Sequence, residues 1–136
     1  MDLELTGKRV LITGGSDGLG RATAYRFASE GALVVICGRR AEYLSAAAEA
    51  LASETGGDVH AVQADVSNTE DCARLIEETT AKLGGLDCLI NNAGASAAAS
   101  LMDVDDDAWQ ADFDLKVMAA VRLCRAAVPM MRAAGG

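Results

Sequence analysis

Eight residues, Thr13-Gly14-Gly15-Ser16-Asp17-Gly18-Leu19-Gly20, decide the fold of this chain. Their glycines are spaced G-x-x-x-G-x-G. Before them runs the β-branched segment Lys8 to Thr13 (KRVLIT), and after them Gly18 to Gly31 carries apolar residues at Ala24, Phe27 and Ala28. The order is strand, tight turn, helix. A turn that opens directly into a helix presents backbone N–H groups to an anion. The missing side chains at Gly14 and Gly18 let a pyrophosphate reach the backbone, and that at Gly20 lets the helix pack closely on the sheet. Dinucleotide binding is the functional reading; glycines that serve only the turn are the plain one. A nucleoside-triphosphate loop fails, because Arg21-Ala22 stand where a lysine and a Mg²⁺-binding hydroxyl are required after Gly15 and Gly20.

The same alternation recurs downstream. Ala32 to Cys37 (ALVVIC) reads as a strand, followed by a helix with Leu44, Ala47, Ala48 and Leu51 on one face and stopped by Gly56-Gly57. Val59 to Ala64 is a third strand, Cys72, Leu75, Ile76, Thr79 and Leu83 mark a third helix, and Leu86 to Asn91 is a fourth strand. Near-continuous apolar strands imply cover on both faces. Beyond the small-residue loop Ala95 to Ser100, the acids Asp103, Asp105, Asp106 and Asp107 suit the N-terminus of a fourth helix with a stripe at Phe113, Val117, Ala120, Cys124, Ala127 and Met131. Four β-α units in a row give an α/β fold, a Rossmann-type doubly wound parallel sheet in one domain spanning 1–136. Ligands of such sheets bind at the carboxyl ends of the strands.

Composition narrows the partners. In 136 residues, 51% hydrophobic and 24% charged with one proline, there is material for one packed domain and no signature of disorder. Twenty acids against 12 Lys and Arg leave a net charge of -8, the wrong sign for nucleic acid or an anionic membrane surface. No run is long and apolar enough to span a bilayer, and the acidic start Met1-Asp2-Leu3-Glu4 is unlike a secretory leader, so a cytoplasmic setting is expected. Cys37, Cys72, Cys88 and Cys124 form no C-x-x-C pair and read as small buried residues in a reducing compartment. His60 has no partner acid apparent along the chain. Trp109 reads as a packing or dimer residue, and the aspartate run, whose side chains point in different directions, does not read as a metal site.

Three motifs in order and spacing, TGGSDGLG at Thr13 to Gly20, Asp65-Val66 after the third strand and Asn91-Asn92-Ala93-Gly94 after the fourth, make the whole chain resemble the N-terminal half of a short-chain dehydrogenase/reductase. The resemblance implies that Gly14, Ser16, Gly18, Leu19 and Gly20 surround the pyrophosphate. It implies that Asp65 accepts from the adenine amino group with Val66 beside the ring, and that Asn92, Ala93 and Gly94 line the ribose sites. Asn91 is expected to tie the central strands together.

The end of the second strand bears on which nicotinamide cofactor is held. NAD-specific folds place an acid about 20 residues past the glycines to hold the ribose hydroxyls. Here Gly38 is followed by Arg39 and Arg40, which suit the 2′-phosphate of NADP. Asp17, beside the turn, works against that phosphate. NADP(H) is favoured over NAD(H).

The resemblance further implies hydride transfer between the cofactor and a small-molecule carbonyl or secondary alcohol, using a serine and a Tyr-x-x-x-Lys motif. Neither Tyr25 nor Tyr43 is followed by a lysine four places on. The chain is therefore expected to be the cofactor-binding half of an enzyme, its C-terminal strands missing and inactive alone; a non-catalytic dinucleotide-binding or interaction module is the alternative. Lys116 occupies the place where relatives carry an asparagine that holds a relay water. In relatives the fourth helix contributes to oligomers, so a homo-oligomer is expected, with an isolated half self-associating through its uncovered edge and helix face.

Overall fold

The computed structural model describes residues 1–96 and 98–135. Four parallel strands, β1 (Arg9–Thr13), β2 (Leu33–Gly38), β3 (Asp58–Gln63) and β4 (Cys88–Ile90), form one sheet in the order β3-β2-β1-β4. The register pairs Thr13 with Cys37 and Ile12 with Ile90. Helices α1 (Gly18–Ser29), α2 (Ala41–Thr55) and α3 (Thr69–Leu83) form the crossovers. This is a Rossmann-like doubly wound architecture.

Alternation within β1 and β2 divides the core into two layers. Val10, Ile12, Val34 and Ile36 pack against Ala24 and Ala28 of α1 and Leu44, Ala48 and Leu51 of α2. On the opposite face, Leu11, Val35 and Cys37 meet Cys72, Leu75 and Ile76 of α3 and Leu123 and Ala127 of the last helix. Boundaries follow local chemistry: Asn68 caps α3 by accepting from the Asp71 N–H at 3.0 Å, and Gly56 ends α2 in the left-handed conformation at φ 68°.

Below the sheet, the Arg9 guanidinium forks onto Asp87, with Nε–Oδ2 2.8 Å and Nη2–Oδ1 2.9 Å, locking the start of β1 to the entry of β4. These hydrogen bonds hold the Asp87 carboxyl down at about 2.

Several expectations are corrected. The fourth helix is two helices, α4 (Asp106–Phe113) and α5 (Ala119–Ala133), joined by a π turn over Asp114–Met118. Its acidic start behaves as expected, the Asp105 side chain accepting from the Ala108 N–H at 2.9 Å. A π turn inserts a residue into the helical repeat, so a stripe drawn at one period rotates out of register across it. The inward residues are accordingly Ala119, Leu123 and Ala127, while Phe113, Val117 and Cys124 are exposed. All four strands contribute to both core layers, β3 through Val62 on one face and Val59 and Ala61 on the other, β4 through Leu89 and through Cys88 and Ile90. As the sheet edges, β3 and β4 stay part-exposed where β1 and β2 are buried. Cys37 and Cys72 are buried, Cys88 is half-buried and Cys124 exposed. His60 does have a partner acid, Asp58 on the same face of β3, with Nε2–Oδ1 2.8 Å. Among the described residues no helix is long and apolar enough to cross a membrane.

Candidate active site: a cleft at the strand ends

The carboxyl ends of β1, β2 and β3 open into a cleft of about 230 Å³. The turn after β1 contributes Gly14, Ser16 and Asp17, the end of β2 contributes Gly38, Arg39 and Arg40, and the segment after β3 contributes Asp65 and Val66. Ala93 and Gly94 close it from the β4 side, with Leu115 of the π turn above them. Nine of the residues singled out from sequence, drawn from four separate segments, thus share one concavity.

Gly18, Leu19, Gly20 and Asn92 do not line that volume and do different work. Gly18 begins α1 at φ 53° with open space where a side chain would project, and Leu19 is exposed beside it. Asp17 stands at the N-cap in extended conformation, yet its carboxylate makes no capping hydrogen bond. The Arg21 N–H is the first to find a helix carbonyl, that of Asp17 at 3.0 Å. The N–H groups of the preceding first turn are left for an external anion. Gly20 is buried: a Cβ there would overlap the Gly14 carbonyl. Gly15, given no role from sequence, is equally constrained, since a Cβ would lie 2.6 Å from Ile36.

The tie between the central strands belongs to Asn92, not to Asn91. The Asn92 side-chain amide donates to the carbonyls of Thr13 at 3.0 Å and Gly14 at 3.1 Å. Asn91 instead donates to the Cys124 sulfur at 3.6 Å. Sequence reasoning missed Thr13, whose buried hydroxyl accepts from the Asn92 N–H at 3.1 Å and the Ala93 N–H at 3.0 Å. Its only signal was a hydroxyl ending an otherwise apolar strand.

Asp65 is held by its own loop. Its Oδ1 accepts from the Ser67 N–H at 3.0 Å and hydroxyl at 2.6 Å, which leaves Oδ2 without a protein donor among the described residues. Its N–H donates to Asp71 at 2.7 Å, and that bond, with Arg74, holds the Asp71 carboxyl below the usual range. Burial pushes the Cys37 thiol at the cleft floor up to about 12, so it is an inert wall.

Arg39 and Arg40 form no ion pair among the described residues, although Asp17 and Asp65 border the same cleft. Their charge is available to a ligand. Lys116, in the π turn, pairs with Asp112 at 2.9 Å and borders a void of about 20 Å³ together with Thr13, Asn91 and Ala93. That is room for one water among polar groups. A larger concavity of about 710 Å³ lies between Ala98 and Asp112; its lining includes Asp103, Asp105 and Asp112 and no cation, which disfavours phosphate there.

A glycine turn running into α1, first-turn N–H groups without a helix carbonyl and two arginines share one cleft at the strand ends of a Rossmann-like sheet. The comparisons make the identification specific: residues 8–136 match the short chain dehydrogenase family, and the chain belongs to it. It is 43% identical to an L-sorbose reductase from Gluconobacter frateurii solved with NADPH and L-sorbose, with a TM-score of 0.96 covering 100% of this chain and 52% of that one. A Burkholderia cenocepacia short chain dehydrogenase solved with NADP is 36% identical with a TM-score of 0.87, covering 93% and 52% of the two chains. The uncharacterized oxidoreductase YvrD of Bacillus subtilis is 41% identical over 133 residues, 98% of this chain and 49% of that protein. The chain thus spans about half the length of these relatives.

Proposed function

We propose that this chain is the cofactor-binding half of an NADP(H)-preferring oxidoreductase that reduces a carbonyl or oxidises a secondary alcohol. The observation that carries it is the pair of arginines just past β2, neither of them in an ion pair among the described residues, which border the same cleft as the glycine turn. NADP(H), when bound, supplies or accepts the hydride. The first turn of α1 binds the pyrophosphate, Gly18 keeps a side chain out of its way, and Gly14 lets the turn pack against Asn92 and Ala93. Asp65, fixed by Ser67, presents Oδ2 to the adenine amino group beside Val66. Ala93, seated by the Thr13 hydroxyl, and Gly94 beside it border the ribose. Arg39 and Arg40 neutralise a 2′-phosphate, and the bare Gly38 offers no carboxylate to a 2′-hydroxyl. Related structures that hold NADPH and NADP support this choice.

In the complete enzyme Lys116 holds a water in the small void beneath the cleft, taking over the place of the family's asparagine. The exposed residues Trp109, Phe113, Val117 and Val121 serve self-association. Four unpaired thiols suit a reducing, cytoplasmic setting.

Titration of NADP⁺ and NAD⁺ into the chain and into its Arg39→Ala variant tests the proposal. Loss of one charge-assisted contact lowers the NADP⁺/NAD⁺ affinity ratio by roughly 10- to 100-fold. An unchanged ratio removes Arg39 from the phosphate site.

A further inference from the structure

Arg39 and Arg40 are adjacent in sequence and both border the cleft, but their surroundings differ. The Arg40 guanidinium carbon sits 4.2 Å from the centroid of the Tyr43 ring, in the first turn of α2. Among the described residues Arg39 is held through its backbone alone, its carbonyl accepting from Gln63 Nε2 at 3.2 Å. A guanidinium stacked on an aromatic ring uses its π face, while its N–H donors lie in the guanidinium plane and remain free. Tyr43 is exposed and fills no core site, so its ring does little for the fold beyond carrying Arg40.

We propose that Tyr43 is the positioning residue for cofactor selection. Its ring holds Arg40 with the donor edge presented to the cleft, so that a 2′-phosphate meets an oriented fork rather than a freely rotating side chain. The inference rests on the assignment of the cleft to an NADP-type dinucleotide and adds to it the residue that sets the geometry of one phosphate ligand.

The probes are adenosine 2′,5′-bisphosphate and 5′-AMP, which differ only in the 2′-phosphate, titrated into the chain by calorimetry. Tyr43→Ala weakens the bisphosphate about 2- to 5-fold, the range of an exposed cation–π contact, and leaves 5′-AMP unchanged. Tyr43→Phe, which keeps the ring face, binds both like the wild type. In an Arg40→Gln background Tyr43→Ala has no further effect, as coupling through Arg40 requires. Equal weakening of both nucleotides by Tyr43→Ala, failure of Tyr43→Phe to restore binding, or an undiminished loss in the Arg40→Gln background overturns the proposal. A wild-type chain that binds 5′-AMP as tightly as the bisphosphate overturns the 2′-phosphate assignment itself, and one that binds neither overturns the nucleotide cleft; the inference falls with either.

Discussion

Asn92 and Thr13, 79 residues apart, are joined at both levels of the chain: the Asn92 amide donates to the Thr13 carbonyl at 3.0 Å, and the Thr13 hydroxyl accepts from the Asn92 N–H at 3.1 Å. This couples the glycine turn after β1 to the loop after β4, neighbouring segments that both line the cleft. Replacing Asn92 by Leu leaves the Thr13 and Gly14 carbonyls without their donor and costs about 1–3 kcal/mol in urea unfolding. Asn92→Asp, nearly isosteric but without the donor, loses at least as much. Wild-type stability in Asn92→Asp contradicts the tie.

The two helix-start glycines are constrained for different reasons, and their variants separate accordingly. Gly18 adopts φ 53° with free space around it, so Gly18→Ala costs about 1–2 kcal/mol of backbone strain and keeps the fold. Gly20→Ala drives a methyl into the Gly14 carbonyl and costs about 3 kcal/mol or more. Chemical denaturation of the two variants side by side gives the order; equal losses contradict the packing.

The Arg9–Asp87 fork has a pH signature. The Asp87 carboxyl is held at about 2 by the Arg9 hydrogen bonds, below the ordinary value of about 3.9, so the unfolded chain takes up its proton first as acid is added. The fork's contribution is fully present above about pH 4 and is lost as pH falls toward 2. Melting temperatures of wild type and Asp87→Asn therefore differ at neutral pH and converge across that window. A gap that stays constant between pH 6 and about 2 rules the linkage out.

On the outer face of α4, the π turn and α5, Trp109, Phe113, Val117 and Val121 are exposed at 56%, 51%, 42% and 41%. An apolar row of this kind drives association. Sedimentation velocity of the chain shows species larger than the 14.0 kDa monomer, and the double substitution Phe113→Asp with Val117→Asp shifts them toward it. A wild-type chain that stays monomeric at tens of micromolar concentration refutes the role of this face.

What the sequence made legible was local. A strand, a glycine turn and a helix start are specified by a dozen consecutive residues, and the inner faces of α2 and α3 follow one period from end to end. Leu44, Ala47, Ala48 and Leu51 of α2, and Cys72, Leu75, Ile76, Thr79 and Leu83 of α3, are all buried as read. The π turn at Asp114–Met118 defeated the same reasoning, because an inserted residue has no composition of its own and reveals itself only through the rotated stripe. That the strand tie falls to Asn92 and not to Asn91 was hidden too. Neighbouring residues in an extended segment point to opposite sides, and which one meets Thr13 depends on the register of β1 against β4. The His60–Asp58 pair was within reach, since residues two apart on a strand share a face.

The central claim is that the cleft at the ends of β1, β2 and β3 holds the dinucleotide, and amide chemical-shift mapping of the ¹⁵N-labelled chain with NADP⁺ tests it most directly. The account predicts saturable shifts at Gly14 to Gly20, Arg39 and Arg40, Asp65 and Val66, and Ala93 and Gly94. Shifts confined to the acidic concavity between Ala98 and Asp112, or none at millimolar NADP⁺, would contradict it.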